Sequence, residues 1–159
     1  MFQVKKYSGS REKDYDLLIK QLKALLDGET NAIANLSNAS ALLNQFLTEV
    51  NWVGFYLAEE NGLVLGPFQG LPACVRIPYG KGVCGTAAQN RQIELVADVH
   101  QFPGHIACDA ASQSEIVVPI LKDGELVGVL DIDSPIKSRF DEVDQQYLEK
   151  FVAELVNHL

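Results

Sequence analysis

The sequence predicts an α+β fold: one sheet of mostly antiparallel strands, with helices from both ends of the chain packed on one face. Three observations carry this. Apolar residues recur at helical spacing near both termini, the middle of the chain changes to a two-residue period, and short turn signals join the strands. A length of 159 residues predicts a single domain, residues 1–159, around a single core.

Taken in order, Tyr15, Leu18, Ile19, Leu22, Leu25 and Leu26 place an amphipathic helix over Arg11–Leu26, with Gly28 just past its end. A second helix is expected from about Asn31 to Val50, turning Leu36, Leu42, Leu43, Phe46 and Leu47 inward as the antiparallel partner of the first. At Trp52 the period becomes that of a strand. Trp52, Gly54 and Tyr56 share one face, and Val53, Phe55 and Leu57 the other. The turn Glu59-Glu60-Asn61-Gly62 leads back into LVLGPF, and Val75–Pro78 reads as a short third strand. A short helix, VCGTAAQN, and a brief strand around 93–96 follow. Ala97 to Ser114 shows no period and is expected to be a long loop, the kind of segment that carries function. EIVVPIL and ELVGVLDID then form a hairpin across Lys122-Asp123-Gly124. A last helix starts near Asp141, its inward residues being Val143, Tyr147, Leu148, Phe151, Leu155 and Leu159.

Composition narrows the function. Hydrophobic residues make up 47% and charged residues 21%, ordinary for a globular chain and unlike a disordered one. A net charge of −8, with no Lys/Arg cluster against it, argues against a nucleic-acid partner. No apolar run reaches the roughly 20 residues that span a bilayer, and the polar N-terminus lacks the apolar stretch of a signal peptide. The chain is therefore expected in the cytoplasm, a reducing compartment.

In such a compartment three cysteines, Cys74, Cys84 and Cys108, read as chemistry rather than as staples. No CxxC pair exists, which excludes a thioredoxin-type motif. A zinc site drawn from these thiols with His100 or His105 would lack closely spaced ligand pairs, so neither a metal nor another cofactor is expected. Cys84, beside Val83 and Ala87, fits a small buried hydrophobe as well as a reactive thiol. Cys108 lies in the polar loop, where burial explains less. Asp131 and Asp133 are two residues apart and so share a strand face, while Glu115 opens the neighbouring strand. Carboxylates there are costly unless paired, solvated or protonated. They predict either a polar pocket, with at least one pKa raised towards a general acid's, or simply a solvated sheet face. Trp52 and Tyr56 could wall a small-ligand pocket or serve the core. His100 and His105 fit acid–base groups or plain loop residues, and Gly80-Lys81-Gly82 lacks the spacing of a phosphate loop.

NWVGFYL, LGPFQG, ACVRIPYGKGVCG, DVHQFPGHIACDAAS, SEIVVPI, VGVLDIDSP and RFDEVDQQYLE together resemble the free methionine-(R)-sulfoxide reductases, stand-alone GAF-domain enzymes. The match is dense over residues 51–151 and includes the order of the three cysteines. The resemblance implies a six-stranded antiparallel sheet flanked by helices. It also implies reduction of free methionine sulfoxide with thioredoxin as reductant; homodimerisation stays open. Carried over position by position, it makes Cys108 the nucleophile and Cys74 the first-choice resolving thiol, with Cys84 a second thiol of open role. Glu115, Asp131 and Asp133 resemble the substrate-binding carboxylates, Trp52 and Tyr56 would enclose the S-methyl group, and backbone N–H groups near Ile106 and Ala107 would meet the substrate carboxylate. The competing expectation is a GAF sensory module that binds a ligand without transforming it.

Overall fold

The computed structural model describes residues 1–4, 6–7, 9–106 and 109–159. Its centre is a six-stranded antiparallel sheet in the order β3-β2-β1-β6-β5-β4, as the α+β expectation requires. The strands are β1 (Trp52–Ala58), β2 (Gly62–Gly70), β3 (Arg76–Pro78), β4 (Glu94–Val96), β5 (Ser114–Lys122) and β6 (Glu125–Ser134). β1–β2 and β5–β6 are the two hairpins legible in the sequence. The β1–β6 seam that joins them is a long-range pairing no turn signal announces.

Three helices cover one face: α1 (Arg11–Leu26), α2 (Ala32–Phe46) and α4 (Glu142–Val156). Their apolar stripes bury Leu18, Leu22, Leu43, Leu148 and Phe151 against Val53, Phe55, Ile116, Val118, Leu130 and Ile132. Asp141 caps α4 by accepting from the N–H groups of Val143 and Asp144, and Asp144 returns the favour to the Asp141 N–H. Tyr15 of α1 stacks on Tyr147 of α4 at 5.2 Å and donates its hydroxyl proton to Asp144 at 2.7 Å, joining the two ends of the chain.

The helices from both ends of the chain thus share one face as expected, and the opposite face carries the short mid-chain helix, whose side the sequence left open. α3 (Gly82–Asn90) lies there, packing Val83, Cys84, Ala87 and Ala88 against Trp52, Tyr56, Val117 and Val129. Each face therefore has its own apolar cluster, because both side-chain rows of β1 are apolar and each needs a cover. α2 also ends earlier than expected, at Phe46. Leu47 closes it, and Glu49 takes a left-handed φ of 57° that turns the chain into β1. The long loop is not wholly irregular: Val99–Gln101 forms a 3-10 turn, capped by Asp98 accepting from the His100 N–H at 3.0 Å. No described helix is long and apolar enough to cross a membrane.

Candidate active site

The α3 face holds a small, partly enclosed cavity walled by aromatic, acidic and thiol side chains. Strand register builds its floor. Glu115 on β5 pairs across the ladder with Asp133 on β6, Asp133 faces Trp52 on β1, and Asp131 faces Val117 on one side and Gly54 on the other. The two-residue period puts Trp52, Tyr56, Glu115, Asp131 and Asp133 on one face, and all five line the cavity. α3 lays Cys84 over them, its thiol 3.8 Å from Glu115 Oε2.

The carboxyls are enclosed rather than solvated, Glu115 and Asp131 being 5% exposed each. Burial is the main cause that pushes Glu115 and Asp133 well above the usual carboxylate range, with the charge of Asp131 next. Asp131 is raised by the same burial, offset by hydrogen bonding from Glu115, Cys84 and Asp133. It is the member of the trio best able to hold the charge, with Glu115 and Asp133 as proton carriers. Among the described residues Asp131 Oδ1 is buried and takes no hydrogen bond from a backbone, amide or hydroxyl donor, so the protons that reach the carboxylate are those of the acids and thiol around it. The Cys84 thiol is pushed up by burial and then by the acids around it, so it rests as a neutral thiol.

The aromatic wall is rigid. Trp52 stacks on Phe68 at 5.1 Å and on Tyr56 at 5.8 Å. Trp52 Nε1 donates to the Leu71 carbonyl at 3.2 Å, and the Tyr56 hydroxyl to the Cys74 carbonyl at 2.8 Å. Both rings thus hold the segment between β2 and β3 over the cavity. Gly54 leaves room for this stack, because a Cβ there would collide with Phe68 and the Trp52 ring. Gly82 opens α3 with φ 64°, and a Cβ on it would press on Ile106 at 3.1 Å.

Ile106 lines the cavity as well, whereas Ala107 and Cys108 lie outside the described residues. Cys74 is half-buried and disulfide-bonded, while Cys84 is a free thiol. His105 reaches the lining and His100 does not; burial, then His100, lowers the His105 pKa, which favours its neutral form.

Four polar residues escaped the sequence reading. Lys81, Asp109 and Ser112 line the cavity, with Lys81 its only lysine or arginine among the described residues. Asn51 sits just before β1 and donates through Nδ2 to Asp109 Oδ2 at 2.9 Å and Ser112 Oγ at 3.2 Å, latching the long loop to the sheet. All four belong to the quoted motifs NWVGFYL, YGKGVCG and IACDAAS, and those motifs were the available signal. An arrangement of protonated carboxyls, a thiol and an aromatic wall can protonate a leaving oxygen while a sulfur centre reacts nearby.

The GAF domain family model matches residues 31–159. Among curated relatives, "Protein YtsP" of Bacillus subtilis is 67% identical over 98% of this chain and 96% of its own length. The "Free methionine-R-sulfoxide reductase" of Escherichia coli is 55% identical over 89% of this chain and 86% of its own. A solved structure of Staphylococcus aureus fRMsr in complex with substrate superposes with a TM-score of 0.88 at 57% identity, covering 98% of this chain and 99% of that one.

Proposed function

The chain belongs to the GAF domain family, as an oxidoreductase of the free methionine-(R)-sulfoxide reductase kind, and from that premise we propose how it works. It reduces free L-methionine-(R)-S-oxide to L-methionine in the cytoplasm, acting as one domain over residues 1–159. The observation that carries this reading is the group of buried, proton-holding carboxyls beside a free thiol and two aromatic rings in one cavity.

In the proposed cycle the Cys108 thiolate attacks the sulfoxide sulfur while Glu115 or Asp133 delivers a proton to the oxygen. As the S–O bond breaks, the oxygen passes to the cysteine sulfur and the transient sulfur–sulfur bond is released, so that methionine leaves and the cysteine is a sulfenic acid. The Cys74 thiol then attacks that sulfur, releasing water and forming a disulfide, which fits the disulfide-bonded state of Cys74. Thioredoxin reopens it by thiol–disulfide exchange, spending its own two thiols. Cys84 is raised and enclosed, which suits it to hydrogen-bond the carboxyls better than to attack. Asp131 meets the substrate ammonium, Trp52 and Tyr56 enclose the S-methyl group, and the substrate carboxylate lies between Lys81 and the backbone at Ile106 and Ala107.

A ligand-sensing GAF module would bind the same molecule and leave it unchanged, so the test is stoichiometric. Reduced protein is mixed with free methionine-(R)-sulfoxide and no external reductant. About one equivalent of methionine and the loss of two thiols per chain are expected. An unchanged thiol count overturns the reading.

A further inference from the structure

We propose that the cavity floor is also a binding site for a thiophilic divalent cation of the zinc type, held by Cys84 Sγ and a carboxylate oxygen each from Glu115 and Asp131, and that this cation and the amino-acid substrate exclude one another. The cation site stands on geometry alone; the mutual exclusion rests on the function proposed above.

The three ligand atoms all lie within 4.8 Å of one another, and Cys84 Sγ is 3.8 Å from Glu115 Oε2. Tetrahedral zinc with its usual bond lengths needs a sulfur–oxygen edge of roughly 3.5 Å and an oxygen–oxygen edge of roughly 3.3 Å. The site is therefore open by at most about 1.5 Å at its longest edge, within reach of side-chain rotation alone. The donors come from three separate elements, α3, β5 and β6, so packing fixes their separation without the cation. Sequence spacing gives no hint of the set, since residues 84, 115 and 131 form no ligand motif.

A second observation points to a ligand independently of the clustering. Asp131 is 5% exposed and lines the cavity, yet among the described residues its Oδ1 takes no hydrogen bond from a backbone, amide or hydroxyl donor. The protons that reach its carboxylate are those of the neighbouring acids and thiol, which a cation displaces. Buried carboxylates are ordinarily met by backbone, amide or hydroxyl donors of that kind. A cation seated between Asp131, Glu115 and Cys84 satisfies Oδ1 directly.

Donor type selects the ion. One thiolate with two carboxylates suits zinc, cobalt(II) and cadmium, whereas magnesium and calcium prefer all-oxygen sites. Three protein ligands leave a fourth position facing the cavity, the form of an open rather than a structural zinc site. As the metal–ligand bonds form, the Cys84 thiol proton and the carboxyl protons leave to solvent. The acids that serve the sulfoxide are then engaged by the metal.

The test uses the full chain as the Cys74→Ser/Cys108→Ser variant, in which Cys84 is the only thiol. After chelator treatment and under reducing conditions it is titrated with cobalt(II) while thiolate-to-cobalt charge transfer is followed in the near ultraviolet. One equivalent is expected to develop the band, zinc to abolish it by displacement, and Asp131→Asn to weaken binding at least tenfold with an unchanged circular dichroism spectrum. Adding Cys84→Ser should remove the band. The reduced protein with Cys84→Ser as its sole change gives the same comparison should the double variant fold poorly: the one-equivalent band of the unaltered reduced protein should be missing. Absence of the band from the Cys84-only protein, or its persistence without Cys84, overturns the cation site. Free methionine-(R)-sulfoxide should raise the apparent cobalt dissociation constant in proportion to its concentration. A band the sulfoxide leaves unmoved supports the cation site and overturns the exclusion.

Discussion

Glu115 and Asp133 stand directly opposite each other on β5 and β6, two carboxyls paired across a sheet face closed over by α3. Like charges at paired positions repel, and burial adds to the cost, so at least one of the two is held protonated. The proton is retained because the fold withholds water, and that makes the pair suited to acid catalysis.

The sign of the pH effect follows. A carboxyl whose pKa rises on folding takes up a proton as the chain folds. Its contribution is complete below the ordinary carboxylate pKa near ~4 and is lost as pH rises through the raised value. Glu115→Gln removes the ionisation. The variant should melt higher than the unaltered protein at pH 8 by about 3 °C or more, with the advantage shrinking towards pH 4. Methionine formed in a single turnover should fall at least tenfold. A variant advantage that grew towards pH 4 would mean Glu115 is ionised in the folded protein.

Replacing the cysteines separates attack from recycling. Cys108→Ser should form no methionine even in a single turnover. Cys74→Ser should form about one equivalent and then stop, whether or not thioredoxin is supplied. Repeated turnover by Cys74→Ser would make Cys84 the resolving thiol. The measurement is methionine per chain with and without thioredoxin.

Lys81 is the one lysine or arginine among the described lining residues. Loss of a charge-assisted hydrogen bond to the substrate carboxylate should raise KM by about tenfold in Lys81→Met, with kcat within twofold. Equal loss in kcat and kcat/KM would instead place Lys81 at the reacting atoms.

Gly54→Ala tests the aromatic wall. The added Cβ meets the backbone of Phe68 at 2.8 Å and the Trp52 ring at 2.9 Å, neither of which can yield without moving the stack. Overpacking of this kind costs about 1–3 kcal/mol, a fall in melting temperature of roughly 3–10 °C. Tryptophan fluorescence, which reports Trp52 alone, should shift with it.

The strands of the site were legible because WVGFYLA and VGVLDIDS are short aromatic and β-branched runs bounded by turn signals. Trp52 with Tyr56 and Asp131 with Asp133 had to share faces, whatever the sheet order. Which face α3 would cover was not legible. Val83, Cys84, Ala87 and Ala88 mark a stripe that packs, but a nine-residue helix whose apolar side chains are all small carries no sign of its partner. The β1–β6 seam was hidden for a related reason, since pairing at such sequence distance depends on whole faces rather than on turns. Asn51 and Lys81 stand at element ends, where a polar residue is ordinary, and only the assembled cavity shows what they face.

Trp52 and Tyr56 each hold a backbone carbonyl, at Leu71 and Cys74. In the proposed binding mode the two rings that would enclose the S-methyl group also anchor the strap between β2 and β3, Tyr56 holding Cys74 itself and Trp52 holding Leu71 three residues before it. A ligand that displaced either ring would then strain the strap that carries a resolving thiol, so occupancy of the cavity and the placement of Cys74 share two hydrogen bonds.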